Sequence, residues 1–434
     1  MLKTFIYDDL SAQEVDKLAL RNTDPNNAIQ DIVEDIINNV RSTGDQALKE
    51  YAAKFDQVNL EKLYLDKSEI EALASTISRE QQRALEIAFQ NIHRFHSTQL
   101  KRERVTETMP GVKCWREVRP IEKVGLYIPG GSAVLPSTLL MLGVPARIAG
   151  CKEIVVCSPP QKTGQINGFV AYCLQLLKIE RIYLVGGAQA VAAMAFGTES
   201  LPKVDKIFGP GNQFVTKAKS MIQSMTNVSI DMPAGPSEVL VIADETANAA
   251  YVAADLLAQA EHGADSQAVL VSTSQALIEA VNQELKAQLE VLPRAEIARK
   301  AIENSYAVYT VDLVSAMKFS NIYAPEHLII ESDHWQTITN LILNAGSVFL
   351  GHLTPESAGD YASGTNHTLP TSGYARSYSG VSVDSFVKKI TFQQINEEGL
   401  EQIGSTVEIL AELEGLQAHK NAASIRKKDL YSAK

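Results

Sequence analysis

Three groupings of acids and histidines carry the chemistry legible in this chain. Residues 351–370, GHLTPESAGDYASGTNHTLP, set Glu356, Asp360 and His367 in a Gly/Ser/Thr/Asn stretch too polar for a core element. Such loops commonly carry function on a rigid scaffold. Ala324-Pro325-Glu326-His327 puts a carboxylate beside an imidazole, just before the apolar run Leu328-Ile329-Ile330. Gln259-Ala260-Glu261-His262 closes a long apolar helix ahead of Gly263. An imidazole titrates near neutrality and can carry protons, and a carboxylate can deprotonate a water held nearby. Imidazoles and carboxylates are also donors that zinc accepts, whereas the amide of Gln259 is a weak and unusual one. The pattern predicts a metal-assisted or acid–base enzyme.

Each grouping has a plainer reading. His262 at a helix end can simply offset the C-terminal dipole. Gln259 stands three residues before it and shares its face, with Asp255 one turn earlier. Glu326-His327 can be a polar turn opening a strand, since Pro325 pushes Ala324 out of helical geometry. The segment 231–238, DMPAGPSE, reads as a stiff hinge through its prolines, or as a device that offers the Ser237 hydroxyl to a cleft. His93-x-x-His96 has the spacing of a ligand pair, but Arg94, Lys101, Arg102 and Arg104 make poor company for a cation. His334 and His352 have no partner in pattern and read as surface residues. Cys114 and Cys151 are the conceivable nucleophiles, yet neither sits beside a histidine, and buried structural thiols are commoner.

The elements that must position these groups follow from hydropathy. The first hundred residues read as helical: 28–40, 45–55, 68–74 and 79–95. From about Val112, short β-rich runs alternate with helices. Strands are expected at 124–128, 153–157, 181–185 and 206–208, then at 238–243, 268–272 and 306–311, with helices between them. That alternation predicts parallel α/β layers. Beyond about Val383 the chain reads as helical again, from Thr391 through Leu410 to Asn421. Glycine-rich turns follow three strands: Pro129-Gly130-Gly131, Gly186-Gly187-Ala188-Gln189 and Gly209-Pro210-Gly211-Asn212. In parallel sheets, turns at the carboxyl ends of strands line the ligand crevice, and glycine lets backbone N–H groups approach an anion. With no G-x-G-x-x-G fingerprint, tight connecting turns explain them equally well.

Composition narrows the classes. A chain of 434 residues exceeds what one core sustains, so two or more domains are expected. The net charge of −11, with no long basic tract, argues against nucleic acid. No apolar run approaches the ~20 residues that span a bilayer. The first residues lack the apolar stretch of a signal peptide, and the four cysteines show no framework spacing. A cytoplasmic protein with reduced thiols is expected.

Together the strings VGLYIPGGSA, PARIAGCKEIVVCSPP, VGGAQAVAAMAFGTES, VDKIFGPGN, DMPAGPSEVLVIAD, AEHGADSQ, APEHLII and GSVFLGHLTPESAGDYASGTNHTLPT closely resemble the histidinol dehydrogenase family. The match runs from about Pro110 to the C-terminus. The resemblance implies a zinc- and NAD-dependent, two-step oxidation of L-histidinol to L-histidine through L-histidinal, the final step of histidine biosynthesis. It further implies zinc ligands Gln259, His262, Asp360 and His419, with Glu326 activating water and His327 as acid/base. Ser237, His367 and Glu414 would hold the substrate, along with the metal ligands and His327. Tyr127, Gln189 and Asn212 would contact NAD. A homodimer with shared sites is implied, His419 and Glu414 coming from the partner subunit. The fold expected is α/β: two tandem, incomplete dinucleotide-fold (Rossmann-like) parallel-sheet domains plus small helical N- and C-terminal pieces. The divisions expected are an N-terminal helical piece at 1–26, a metal and catalytic domain from 27–129 with 239–381, an NAD-side domain at 130–238, and a tail at 382–434. A zinc hydrolase using the same residues without NAD, and a metal-dependent binding protein, are the rivals.

Overall fold

The computed structural model describes residues 2–21, 27–101, 103–130, 135–233 and 235–432. The chain forms two units, one from residues 1–99 and 121–386, the other from 100–120 and 387–434.

The larger unit holds two six-stranded sheets. The first runs Lys3–Ile6, Tyr306–Tyr309, Gln267–Ser272, Glu238–Ala243, His327–Glu331 and Ser347–Leu350, every neighbouring pair parallel. Its central strands are unbroken apolar runs: Val239 to Ile242, Ala268 to Val271 and Leu328 to Ile330 are all fully buried. That is the signature of a parallel sheet covered by helices on both faces. The second sheet runs Tyr64–Leu65, Ile182–Leu184, Glu153–Ser158, Lys123–Tyr127, Lys206–Phe208 and Ser229–Ile230, parallel except for its first pair. The expected α/β class with parallel, Rossmann-like sheets is therefore what the chain adopts.

The expected grouping of segments is corrected by the sheet order. Lys123–Tyr127 lies inside the second sheet and Tyr64–Leu65 at its edge, so 27–99 and 121–129 build with 130–230 and not with 239–381. Helix Asn27–Thr43 packs on Gly187–Phe196 and Gln213–Met225 of that same layer. The N-terminal piece is not purely helical either. Lys3–Ile6 (KTFI), aromatic and β-branched, adds an edge strand to the first sheet, with Lys3 opposite Tyr306.

The smaller unit is an antiparallel sheet, Val387–Ile395, Val112–Pro120 and Thr106–Met109, followed by helices Glu397–Leu413 and Gln417–Ser432. The helix expected from Thr391 thus begins too early. Ile390 and Phe392 alternate with polar neighbours at period two, and Phe392 stacks on Trp115 across the ladder with ring centroids 5.5 Å apart. Helix starts only at Asn396, whose side chain caps it by accepting from the Gly399 N–H. The hairpin turn at Gly111 has φ +75°, and a Cβ there would lie 2.0 Å from Asn396 Oδ1. Only glycine fits that turn.

Candidate active site

Glu326 and His327 open a central strand of the first sheet. Helix Leu313–Tyr323 ends at Ala324, which takes a left-handed φ of +53° before Pro325 turns the chain into the strand. Register sets Val239 opposite His327, so the imidazole reaches the first peptide of that strand. His327 Nδ1 lies 3.2 Å from the Glu238 carbonyl oxygen. It also stands 3.8 Å from Glu326 Oε2 and 3.6 Å from Glu356 Oε1, while Nε2 is 3.7 Å from Asp360 Oδ1. Nε2 is buried and has no hydrogen-bond partner.

The electrostatics follow from burial and crowding. Burial would weaken His327 as a base, but Glu356, Glu326 and Asp360 outweigh it and hold its pKa well above the usual imidazole range. Burial pushes Glu326 up to about 8 against the pull of His327, and does the same for Glu356. Asp360 goes the other way: burial is overcome by the pull of His327, 3.7 Å away, which holds its carboxyl below the usual range. The cluster therefore gains and loses protons in the neutral range, as general acid–base work requires.

Helix Ala249–Ala260 brings Gln259 to the same place and His262 just beyond its end. With its amide oriented to satisfy its neighbours, Gln259 donates to Glu356 Oε1 (2.6 Å) and accepts from the Glu238 N–H (3.2 Å). One lone pair of that amide oxygen remains for another partner. Short helix Glu356–Tyr361 carries Glu356 and Asp360, four residues apart and on one face. Ligand atoms of His262, Glu356 and Asp360 all lie within 4.8 Å of one another. An imidazole and carboxylates converging beside an unpartnered imidazole nitrogen fit a zinc-type ion. Asp255 and Glu331 are two further buried carboxyls; burial pushes Asp255 to about 6 and Glu331 to about 8.

His367 joins the two layers. Its Nδ1 lies 3.0 Å from the Asp360 carbonyl and its Nε2 3.3 Å from Thr138 Oγ1, on helix Pro136–Ala149 beside the second sheet. Adjacent Asn366 donates to the Met141 carbonyl at 2.6 Å. Ser237 is half-buried, immediately before Glu238.

Tyr127, Gln189 and Asn212 fall at or just past the carboxyl ends of three strands of the second sheet. The Tyr127 hydroxyl accepts from the Gly187 N–H at 3.1 Å. Gln189 is buried in the first turn of helix Gly187–Phe196. Asn212 caps helix Gln213–Met225, accepting from the Phe214 and Val215 N–H groups. Gly209 has φ +129°, and a Cβ there would meet the Tyr127 carbonyl oxygen at 2.1 Å. Gly131 and Ala234 lie outside the described residues. In contrast to these turns, Glu326, His327 and Ser237 occupy the amino edge of their sheet.

Glu414 and His419 are exposed on the smaller unit, at the end of one helix and in the first turn of the next. His96 Nδ1 bonds Gln99 at 2.9 Å, and His93 Nδ1 lies 3.2 Å from the Ser97 hydroxyl. His352, read as a surface residue, stands 3.3 Å from Asp333 and 4.0 Å from Glu331. Sequence reasoning singled out Glu356 as an acid but gave it no role; its i, i+4 relation to Asp360 was the available signal. Glu238 escaped because it acts through its main chain.

Fold and site define an α/β enzyme with an imidazole–carboxylate acid–base centre on one sheet, linked through His367 to helix Pro136–Ala149 beside the other. A family model for histidinol dehydrogenase matches residues 19–427. The histidinol dehydrogenase of Bacteroides thetaiotaomicron is 56% identical over 396 residues, 91% of this chain and 92% of that protein. The chloroplastic histidinol dehydrogenase of Arabidopsis thaliana is 52% identical over 433 residues, 99% of this chain and 92% of that one. A crystal structure of histidinol dehydrogenase from Elizabethkingia anophelis shares the fold with a TM-score of 0.96 at 49% identity, covering 99% of each chain. The chain belongs to the histidinol dehydrogenase family, and it is a dehydrogenase. The hydrolase and binding-protein readings fall with that result. Among the described residues no helix is long and apolar enough to cross a membrane.

Proposed function

We propose that this protein oxidises L-histidinol to L-histidine through L-histidinal with two NAD and one zinc per site, closing histidine biosynthesis. The observation that carries the reading is the buried Glu326–His327 pair, two adjacent acid–base groups with different surroundings. Alcohol oxidation needs a base for the hydroxyl proton, and aldehyde oxidation needs a second base for the water that adds to it. His327, with its unpartnered Nε2, takes the first role; Glu326 takes the second. Gln259, His262 and Asp360 would hold zinc, which when bound orients the imidazole and amine of the substrate as a template. Tyr127, Gln189 and Asn212 would hold NAD, which accepts the hydride. Ser237, His367 and Glu414 would fix the substrate, so that much of the rate comes from alignment.

The remaining zinc ligand, His419, and Glu414 would come from the partner subunit of a homodimer. Support comes from the smaller unit, where Ile409, Leu410, Leu413 and Ile425 are 55–78% exposed on helices that also carry those two residues. Apolar side chains so exposed fit an interface between copies. The test is NADH formation, followed by its near-ultraviolet absorbance, with histidinol as sole substrate. Two NADH per histidinol are expected; none, or one with the aldehyde accumulating, would refute the reading.

A further inference from the structure

One peptide aims the acid–base pair, and an arginine remote from the reacting atoms holds that peptide from behind. The Glu238 carbonyl faces His327 Nδ1, and its N–H donates to Glu326 Oε2 at 3.0 Å and to the Gln259 amide oxygen at 3.2 Å. Three site residues are thus set by the main chain of a single position. The side chain of Glu238 is 1% exposed and takes both arms of Arg21: Nε to Oε2 at 2.7 Å and Nη2 to Oε1 at 2.6 Å.

Arg21 grips a second strand entrance as well. Its Nη1 donates to the Tyr323 carbonyl at 2.6 Å and to the Ala19 carbonyl at 2.7 Å, and its guanidinium lies over the Tyr323 ring, 3.6 Å from the centroid. Tyr323 ends the helix that delivers Glu326 three residues later. One planar guanidinium therefore spans the start of the strand at Glu238 and the approach to the strand at His327. A lysine cannot reproduce this, because a point charge lacks the fixed fork that makes a bidentate bond. A buried ion pair is weak evidence for stability, since an apolar pair of similar size often does as well. What the pair supplies here is direction.

We propose that Arg21 is a positioning residue for the dehydrogenase reaction: through Glu238 and Tyr323 it fixes the alignment of Glu326 and His327. The proposal rests on the acid–base roles given above. It also makes the N-terminal segment, with its strand Lys3–Ile6 and helix Ala12–Ala19, a working part of the active-site frame.

Two variants test it in the intact, zinc-loaded protein. Arg21→Lys keeps the charge that Glu238 needs and removes the fork. Arg21→Met with Glu238→Gln removes both charges together, leaving no buried ion alone. Misalignment of the order of 1 Å can cost about 10²-fold, so kcat is expected to fall roughly 10- to 100-fold in both variants. KM for NAD and the thermal midpoint should stay near the unmodified values. Selective 15N-histidine NMR, with His327→Gln for assignment, should show the His327 Nδ1 resonance displaced. Unchanged kcat together with an unmoved Nδ1 resonance overturns the proposal, as does a loss of kcat that only tracks loss of folded protein. If the unmodified enzyme makes no NADH from histidinol, the functional reading fails instead. The nitrogen spectra then still decide whether Arg21 sets the imidazole.

Discussion

Glu326→Gln separates chemistry from stability in one substitution. The amide keeps the shape, and its oxygen can still accept the Glu238 N–H that Glu326 accepts at 3.0 Å. What disappears is the base. Supplied with histidinal, the variant should oxidise it roughly 10²- to 10⁴-fold more slowly, the usual worth of a general base. Oxidation of histidinol to the aldehyde, for which His327 is the proposed base, should lose far less. The same change should stabilise the protein. Burial raises the Glu326 carboxyl from 4.5 to about 8. A group whose folded pKa is raised contributes stability below its unfolded pKa and loses it as pH rises through the folded value. The interval of about 3.5 pH units corresponds to a ceiling of about 5 kcal/mol, lost between about pH 4.5 and 8. Glutamine does not titrate. Denaturant unfolding of zinc-stripped protein should show equal stability for both forms at the acid end, and a variant more stable by at least ~1 kcal/mol above about pH 8. Equal slowing of the two half-reactions would refute the division of roles, and identical pH profiles of stability would refute the buried, strained carboxyl.

Replacing His262 or Asp360 with Ala should strip zinc or weaken it sharply, which elemental analysis of the purified variants checks directly. Cys151→Ser and Cys114→Ser should keep near-normal turnover. Burial pushes the Cys151 thiol up to about 11, so it is not a nucleophile at neutral pH, and isolation of a covalent aldehyde–cysteine adduct would contradict this. Mixing inactive His262→Ala with inactive His419→Ala under subunit exchange should restore NADH formation. In the heterodimer one shared site carries both defects and the other neither; no recovery would mean His419 serves its own chain.

The buried strands were readable because a parallel sheet covered on both faces leaves unbroken apolar runs, as in Val239 to Ile242. The edge strands were not. Lys3–Ile6 and Tyr64–Leu65 are too short to show a period, and Val387–Ile395 has polar residues enough to pass for a helix start. Sheet membership was also hidden, since chain order does not reveal that Lys123–Tyr127 pairs between Glu153–Ser158 and Lys206–Phe208. In the site, Glu326, His327, His262, Asp360 and His367 stood out by residue type and polar context. Gln259, Gln189 and Asn212 lay in groupings that the sequence singled out but took their roles only from family resemblance, as did Tyr127, Glu414 and His419. Arg21 and Glu238 left no local signal: they meet across more than two hundred residues, and Glu238 works through atoms that every residue has.

The pairing of Lys3–Ile6 with Tyr306–Tyr309 has a consequence for how the chain is made. The strands of the second sheet lie between Tyr64 and Ile230, so that layer can assemble while the rest is still being synthesised. The first sheet cannot. Its first strand leaves the ribosome some 300 residues ahead of its partner, a wait of about 15–60 s at 5–20 residues per second. Throughout that time Lys3–Ile6 has no strand to pair with, and the Arg21 segment waits for Glu238 and then Tyr323. The strand carrying His327 is translated later still. The acid–base centre is therefore one of the last parts to form, and a nascent or truncated chain that already holds a finished second sheet remains catalytically silent.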